Sequence, residues 1–132
     1  MPDQQERYKK ALKTLAKMGG AQHAKKFDAN NQKTWLTPTM RDFTEIVSGY
    51  TLGEVWSRPG LDMRSRSVAT ISTLAALRQW DQLRSHVKMG LNIGLTPDEI
   101  VEIVLHLSVY AGVPAAASAY AVVQDVLKEH KP

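Results

Sequence analysis

The sequence predicts an all-α fold built from antiparallel helical hairpins, on three observations. Apolar residues recur every three or four positions through successive segments. Helix-start signals stand ahead of several of them, at Thr37-Pro38, at Asp62 and at Thr96-Pro97-Asp98-Glu99. No segment carries a convincing strand pattern of alternating apolar and polar residues.

The elements follow in order. Residues 4–18 place Tyr8, Ala11, Leu12, Leu15 and Met18 on one helical stripe with charges opposite, and Gly19-Gly20 ends that helix. Ala21 to Thr37 is the least regular stretch. Asn30-Asn31 reads as a turn there, with room for a short helix around Gln22 to Phe27. Thr37 caps a helix with Pro38 at its first position; it runs to about Tyr50 with Met40, Phe43, Ile46 and Val47 expected inward. Pro59-Gly60 forces a turn, and Asp62 caps a helix over roughly 62–78 that should bury Val68, Ile71, Leu74, Ala75 and Leu77. After a break near Gln79 to Asp81, the next helix carries Trp80, Leu83, Val87 and Leu91 inward and stops at Asn92-Ile93-Gly94. Thr96-Pro97-Asp98-Glu99 is a capping box. The helix it opens, Asp98 to Ala111, is apolar almost all round, which predicts burial against a partner subunit. Gly112-Val113-Pro114 separates it from a last helix of small residues with Tyr120, Val123 and Leu127 as larger anchors.

Composition bounds the function. A chain of 132 residues is expected to form a single domain over 1–132 with a real core. The net charge of +4 comes from scattered Lys and Arg, densest at Arg7, Lys9, Lys10, Lys13 and Lys17. That pattern lacks the basic stripe with interleaved aromatics of a nucleic-acid binder. It suits a solvated helix face or a small anionic substrate. Cysteine is absent, which removes disulfides, thiolate metal sites and thiol redox chemistry. Met1 to Gln5 is polar, with no leader-like apolar run after it, and the Ile100 to Val113 stretch is too short to span a bilayer. The expectation is a cytoplasmic protein with no membrane and no nucleic-acid partner.

The densest chemistry lies in Gly53-Glu54-Val55-Trp56-Ser57-Arg58-Pro59-Gly60-Leu61-Asp62, with Arg64, Arg66 and His86 downstream. A carboxylate, an indole and a guanidinium within ten residues read as one wall of a small-anion site. Glu54, pressed against Trp56 and kept from water, would hold its proton more tightly and could donate it. Arg58, beside Pro59 on a constrained loop, is the candidate carboxylate clamp. Arg64 and Arg66 are about 200° apart around one helix and cannot both face one ligand. His86, at the edge of an apolar stripe, would be partly buried and able to titrate near neutrality. The plain alternative for it is a boundary histidine bonded to a carbonyl. Glu102 and His106 stand four apart, a spacing that favours a simple ion pair over a metal pair in the absence of further ligands. No zinc framework, phosphate loop or nucleophile elbow occurs, so neither a metal nor a cofactor is expected.

These blocks, with Leu83-Arg84-Ser85-His86-Val87, Leu95-Thr96-Pro97-Asp98-Glu99-Ile100 and Tyr110-Ala111-Gly112-Val113-Pro114-Ala115-Ala116, resemble the carboxymuconolactone decarboxylase family in order and spacing. The resemblance is close from about Asp42 onward and weaker from Glu6 to Met40. It implies an AhpD-like all-α fold and a ring-shaped homo-oligomer, commonly a hexamer, with a trimer as the smaller option. It also implies cofactor-independent lyase activity in the protocatechuate branch of aromatic degradation. The candidate catalytic residues are then His86, Glu54 and Arg58. The candidate substrate-binding residues are Trp56, Arg64, Asn92 and Tyr110. The wider superfamily includes peroxide-reducing enzymes with a Cys-x-x-Cys pair before a His. The positions ahead of His86 here are Gln79-Trp80-Asp81-Gln82, so that chemistry is excluded. The family block Ala-Leu-Asn-Asn-Gly is here Gly90-Leu91-Asn92-Ile93-Gly94. The alternatives are a diverged member acting as isomerase, cyclase or lyase on another small carboxylated compound, and a non-catalytic oligomeric binding protein.

Overall fold

A computed structural model describes residues 3–130. Those residues form helices and connecting turns, with no strand among them. They divide into two compact units, one ending at Leu61 and the other beginning at Asp62.

The first unit starts with α1 (Gln4–Gly19), opened by a reciprocal capping box between Asp3 and Glu6. Its buried face is Tyr8, Ala11, Thr14, Leu15 and Met18, close to the predicted stripe. Gly20, at φ +94°, turns the chain directly into α2 (Ala21–Thr34). The segment expected to be irregular is therefore a complete helix. Asn31 makes no turn. It sits within α2 and donates from Nδ2 to the Tyr8 hydroxyl at 3.4 Å, while that hydroxyl donates to Asp28 at 2.9 Å. Burial pushes the Tyr8 phenol up to about 12.

Helix α3 (Pro38–Ser48) starts as predicted, with the Thr37 hydroxyl accepting from the Met40 amide. Its orientation is the reverse of the predicted one. Met40, Phe43, Ile46 and Val47 are 41–69% exposed, and the buried side chains are Glu45 and Ser48. The buried carboxylate is tolerable because Gln4 Nε2 and Arg41 Nε each donate to it at 2.7 Å. The Arg41 guanidinium also stands 5.6 Å from the centroid of the Trp35 ring.

The helix does not stop near Tyr50. It continues as a π-helical segment, Gly49–Val55, closed by Trp56 N–H donating to the Thr51 carbonyl. Close approach to α1 explains the glycines. A Cβ on Gly53 would lie 2.7 Å from the Arg7 carbonyl oxygen, and one on Gly49 would lie 3.0 Å from Arg7 Cβ. Only hydrogen fits at Gly53 without movement of the backbone.

The second unit holds α4 (Met63–Ala76), α5 (Trp80–Ile93), α6 (Pro97–Ala111) and α7 (Val113–Glu129). Both predicted caps are present. Asp62 accepts from the Ser65 amide at 2.7 Å, and Thr96 with Glu99 forms a complete capping box. The core joins Ile71, Ala75, Leu83, Val87, Leu95, Ile100, Val104, Leu107, Ala119, Val123 and Val126. Each large member contributes about 1.5–3 kcal/mol over an exposed position. Two expected core residues fall outside it: Leu77 is exposed beyond the end of α4, and Tyr120 is exposed on α7. Helix α6 buries one face, while Leu105, Val109 and Tyr110 stay exposed. Among the described residues, no helix is long and apolar enough to cross a membrane.

Candidate active site

The π-helical segment and the turn after it carry Glu54, Trp56 and Arg58. The turn is held by Arg58 N–H donating to the Val55 carbonyl and by the Ser57 hydroxyl donating to the Gly53 carbonyl. Trp56 is half-buried and Arg58 exposed. Glu54 differs from its predicted setting. Water reaches it, and its Oε1 lies 3.0 Å from Arg7 Nε, so the carboxylate is held by a guanidinium rather than sealed against the indole. Arg7 is a further candidate residue, one that sequence reasoning missed. It lies 47 positions away in the chain, and the only local hint is the glycine spacing of Gly49 and Gly53 that lets α1 come close.

In the second unit, His86 lies midway along α5 and is half-buried. Burial lowers its pKa below the ordinary histidine value of 6.5. Burial thus disfavours the imidazolium, which when formed is a stronger proton donor than an exposed one. Asn92 is exposed in the last turn of α5. Tyr110 is 80% exposed at the end of α6, its ring 5.4 Å from that of His106.

Arg64, near the start of α4, pairs with Glu99 of α6. The other oxygen of Glu99 accepts from the Thr96 amide at 3.1 Å, so one carboxylate serves both a helix cap and an ion pair. This resolves the two-arginine problem on α4: Arg64 is engaged by an acid, while Arg66 lies half-buried two positions on. The expected Glu102–His106 ion pair does not form; His106 packs against Tyr110 instead. Among the described residues no cluster of three or more His, Asp or Glu side chains is arranged to hold a metal.

The structure thus brings Arg7 to Glu54 and Glu99 to Arg64. The first unit presents an indole and a guanidinium on one short turn. The second presents a half-buried imidazole on a helix. Those are an apolar surface, a carboxylate binder and an acid–base group.

Comparison with known proteins adds to this geometry. Residues 41–125 match the model of the carboxymuconolactone decarboxylase family. The chain is 40% identical over 129 residues to 4-carboxymuconolactone decarboxylase of Acinetobacter baylyi, covering 98% of this chain and 92% of that protein. It is 37% identical over 93 residues to nitrosuccinic acid decarboxylase of Metarhizium robertsii, covering 70% of this chain and 65% of that one. With a family match over more than half its length and a relative aligned almost end to end, the chain belongs to the carboxymuconolactone decarboxylase family.

Proposed function

We propose that this protein is a cofactor-independent carboxy-lyase that converts 4-carboxymuconolactone to 3-oxoadipate enol-lactone and CO2. The observation that carries the reading is the near-full-length identity to a relative bearing that activity in its name.

The chemistry needs little from the protein because the substrate holds its own electron sink. The lactone carries two carboxylates. One leaves as CO2, and its bonding pair flows through the ring double bond to the lactone carbonyl, giving a dienolate. A proton then adds to the ring carbon next to that carbonyl. The dianionic substrate becomes a monoanionic product, and charge balances through the one proton gained.

Three tasks fall to side chains. Arg58 holds the retained carboxylate in a bidentate grip. Trp56 offers the departing carboxylate an apolar wall, since a cation there would stabilise the ground state and slow its loss. His86 delivers the proton as imidazolium. Its burial makes the imidazolium a readier donor, while Glu54, open to water and engaged by Arg7, is better placed to hold Arg7. Asn92, Tyr110 and Arg64 remain the candidate substrate contacts. The dienolate oxygen requires preorganised donors as well.

The relative that acts on nitrosuccinic acid supports a second, broader reading. A nitro group beside the departing carboxylate is also an electron sink, so the family site suits decarboxylation of small dicarboxylates that carry their own acceptor. Ile93, where the family block has a second Asn, is consistent with such a shift in substrate.

We further infer a single functional domain, a ring-shaped assembly and a cytoplasmic setting. The family match crosses the boundary between the two compact units, which supports a single functional domain over 1–132. An AhpD-like arrangement of antiparallel hairpins in a hexameric or trimeric ring would cover the apolar side chains left exposed on α3 and α6. A place in protocatechuate breakdown in the cytoplasm completes it.

The test is direct. The purified protein is given 4-carboxymuconolactone, and CO2 release is followed alongside 2-nitrosuccinate and simple keto acids. Turnover of the lactone well above the others supports the first reading. Turnover of nitrosuccinate alone supports the second, and binding without CO2 release from any compound overturns both.

A further inference from the structure

Helix α1 presents Lys9, Lys10, Lys13 and Lys17 within about 100° of arc, a single face of the helix. Together with Glu6, Thr14 and Ser57 they line a cleft of about 610 Å³ in the first unit. None of the four lysines forms an ion pair among the described residues. The one lining carboxylate, Glu6, is already used: it accepts from the Asp3 amide in the helix cap. Both lining hydroxyls are turned to the backbone, Thr14 donating to the Lys10 carbonyl and Ser57 to the Gly53 carbonyl. The donors that remain for a ligand are ammonium groups.

Ser57 ties this cleft to the candidate site. It stands between Trp56 and Arg58, so the lysine face borders the turn that carries the carboxylate clamp. We propose that the cleft is a capture site for small polycarboxylates, loading the dianionic substrate onto the Arg58 turn. The proposal rests on the decarboxylase reading for the identity of the substrate, and on the cleft for its own chemistry.

Size and charge select that class of ligand. Lysines one turn apart are separated by about 6 Å along the axis, a spacing that flexible lysine stems can close around the two carboxylates of a small dicarboxylate. The volume falls in the range of small-molecule sites. Among the described residues no aromatic, Leu, Ile, Val or Met side chain lines the cleft, which leaves base stacking and membrane insertion without a source of affinity there. The reaction supplies a direction. The substrate carries two negative charges and the product one, so ammonium groups favour entry over retention. Flexible lysine stems suit transient capture better than a rigid guanidinium fork does.

The experiment uses the full chain and a variant with Lys9, Lys10, Lys13 and Lys17 all changed to Gln, checked for an unchanged helical spectrum. Binding of tricarballylate, a tricarboxylate that cannot react, is titrated by calorimetry at low salt. The variant should bind at least about 5-fold more weakly, and added salt should weaken the parent far more than the variant. In turnover, kcat/KM of the parent should fall about 10-fold from low to high salt, with the loss on KM, and the variant should lose most of that slope. Equal tricarballylate affinity in parent and variant, or parent binding indifferent to salt, overturns the proposal. So does a short DNA duplex that binds the lysine face more tightly than tricarballylate and displaces it. A parent that binds tricarballylate through these lysines but releases no CO2 from the lactone refutes the decarboxylase reading and leaves the capture site standing.

Discussion

Burial of His86 lowers its proton affinity, and the same burial shapes how stability responds to acid. The unfolded chain binds a proton at this position near the ordinary value of 6.5, and the folded chain only at lower pH. Between those two values the unfolded state holds more protons, so stability rises with pH through that window. The full contribution is present above about pH 6.5 and is lost as pH falls through the folded value. Thermal unfolding should show a drop from pH 7 to pH 5 that shrinks in His86→Gln; an identical pH slope in both would remove burial as the cause. On activity, an imidazolium donor predicts that kcat falls as pH rises through the lowered pKa. Arg58→Ala and His86→Ala should each cut turnover of the lactone by at least about 100-fold, the scale of a lost acid–base or anion-stabilising group. Parent rates in both variants would mean that the reaction runs elsewhere.

At the scale of elements, the π-helical segment is where backbone packing meets the site. It lies so close to α1 that Gly53 has no room for a methyl group, and this approach brings Arg7 to Glu54. Gly53→Ala should therefore destabilise the protein by about 1–3 kcal/mol, the usual cost of forcing atoms into a packed contact. Gly60→Ala is the control, because a Cβ there meets nothing within 4 Å. Its effect should stay within about 0.5 kcal/mol in urea unfolding. If the two substitutions were equally harmless, the close approach would not be what holds this segment. Helix α3 teaches a related point. Its apolar periodicity is genuine, yet Glu45 and Ser48 are its buried residues, because donors from Gln4 and Arg41 satisfy the carboxylate on that side.

For the whole molecule, the apolar face of α3 and the exposed end of α6 matter most. Phe43, Ile46 and Val47 on one, and Val109 and Tyr110 on the other, expose more surface than a lone chain gains from. The proposed ring of identical subunits predicts that Phe43→Lys combined with Val47→Lys lowers the mass measured by light scattering to that of one chain. A parent that is already a monomer at every concentration would end that proposal.

Much of this protein could be read without coordinates. Periodic apolar stripes, the Thr37, Asp62 and Thr96 caps and the glycine breaks are local signals, carried by residues within a few positions of one another, and they determined the helical class and most boundaries. The ordered motifs likewise pointed to the family. Pairings between distant positions were decided only in three dimensions. Arg7 meets Glu54 across 47 positions and Arg64 meets Glu99 across 35, and no local pattern encodes either. The same holds for α3, whose apolar stripe says that one face differs from the other but not which neighbour each will meet. Asn31 shows the reason most plainly: a residue that favours turns in isolation stays helical once a tyrosine hydroxyl from another helix accepts its amide hydrogen.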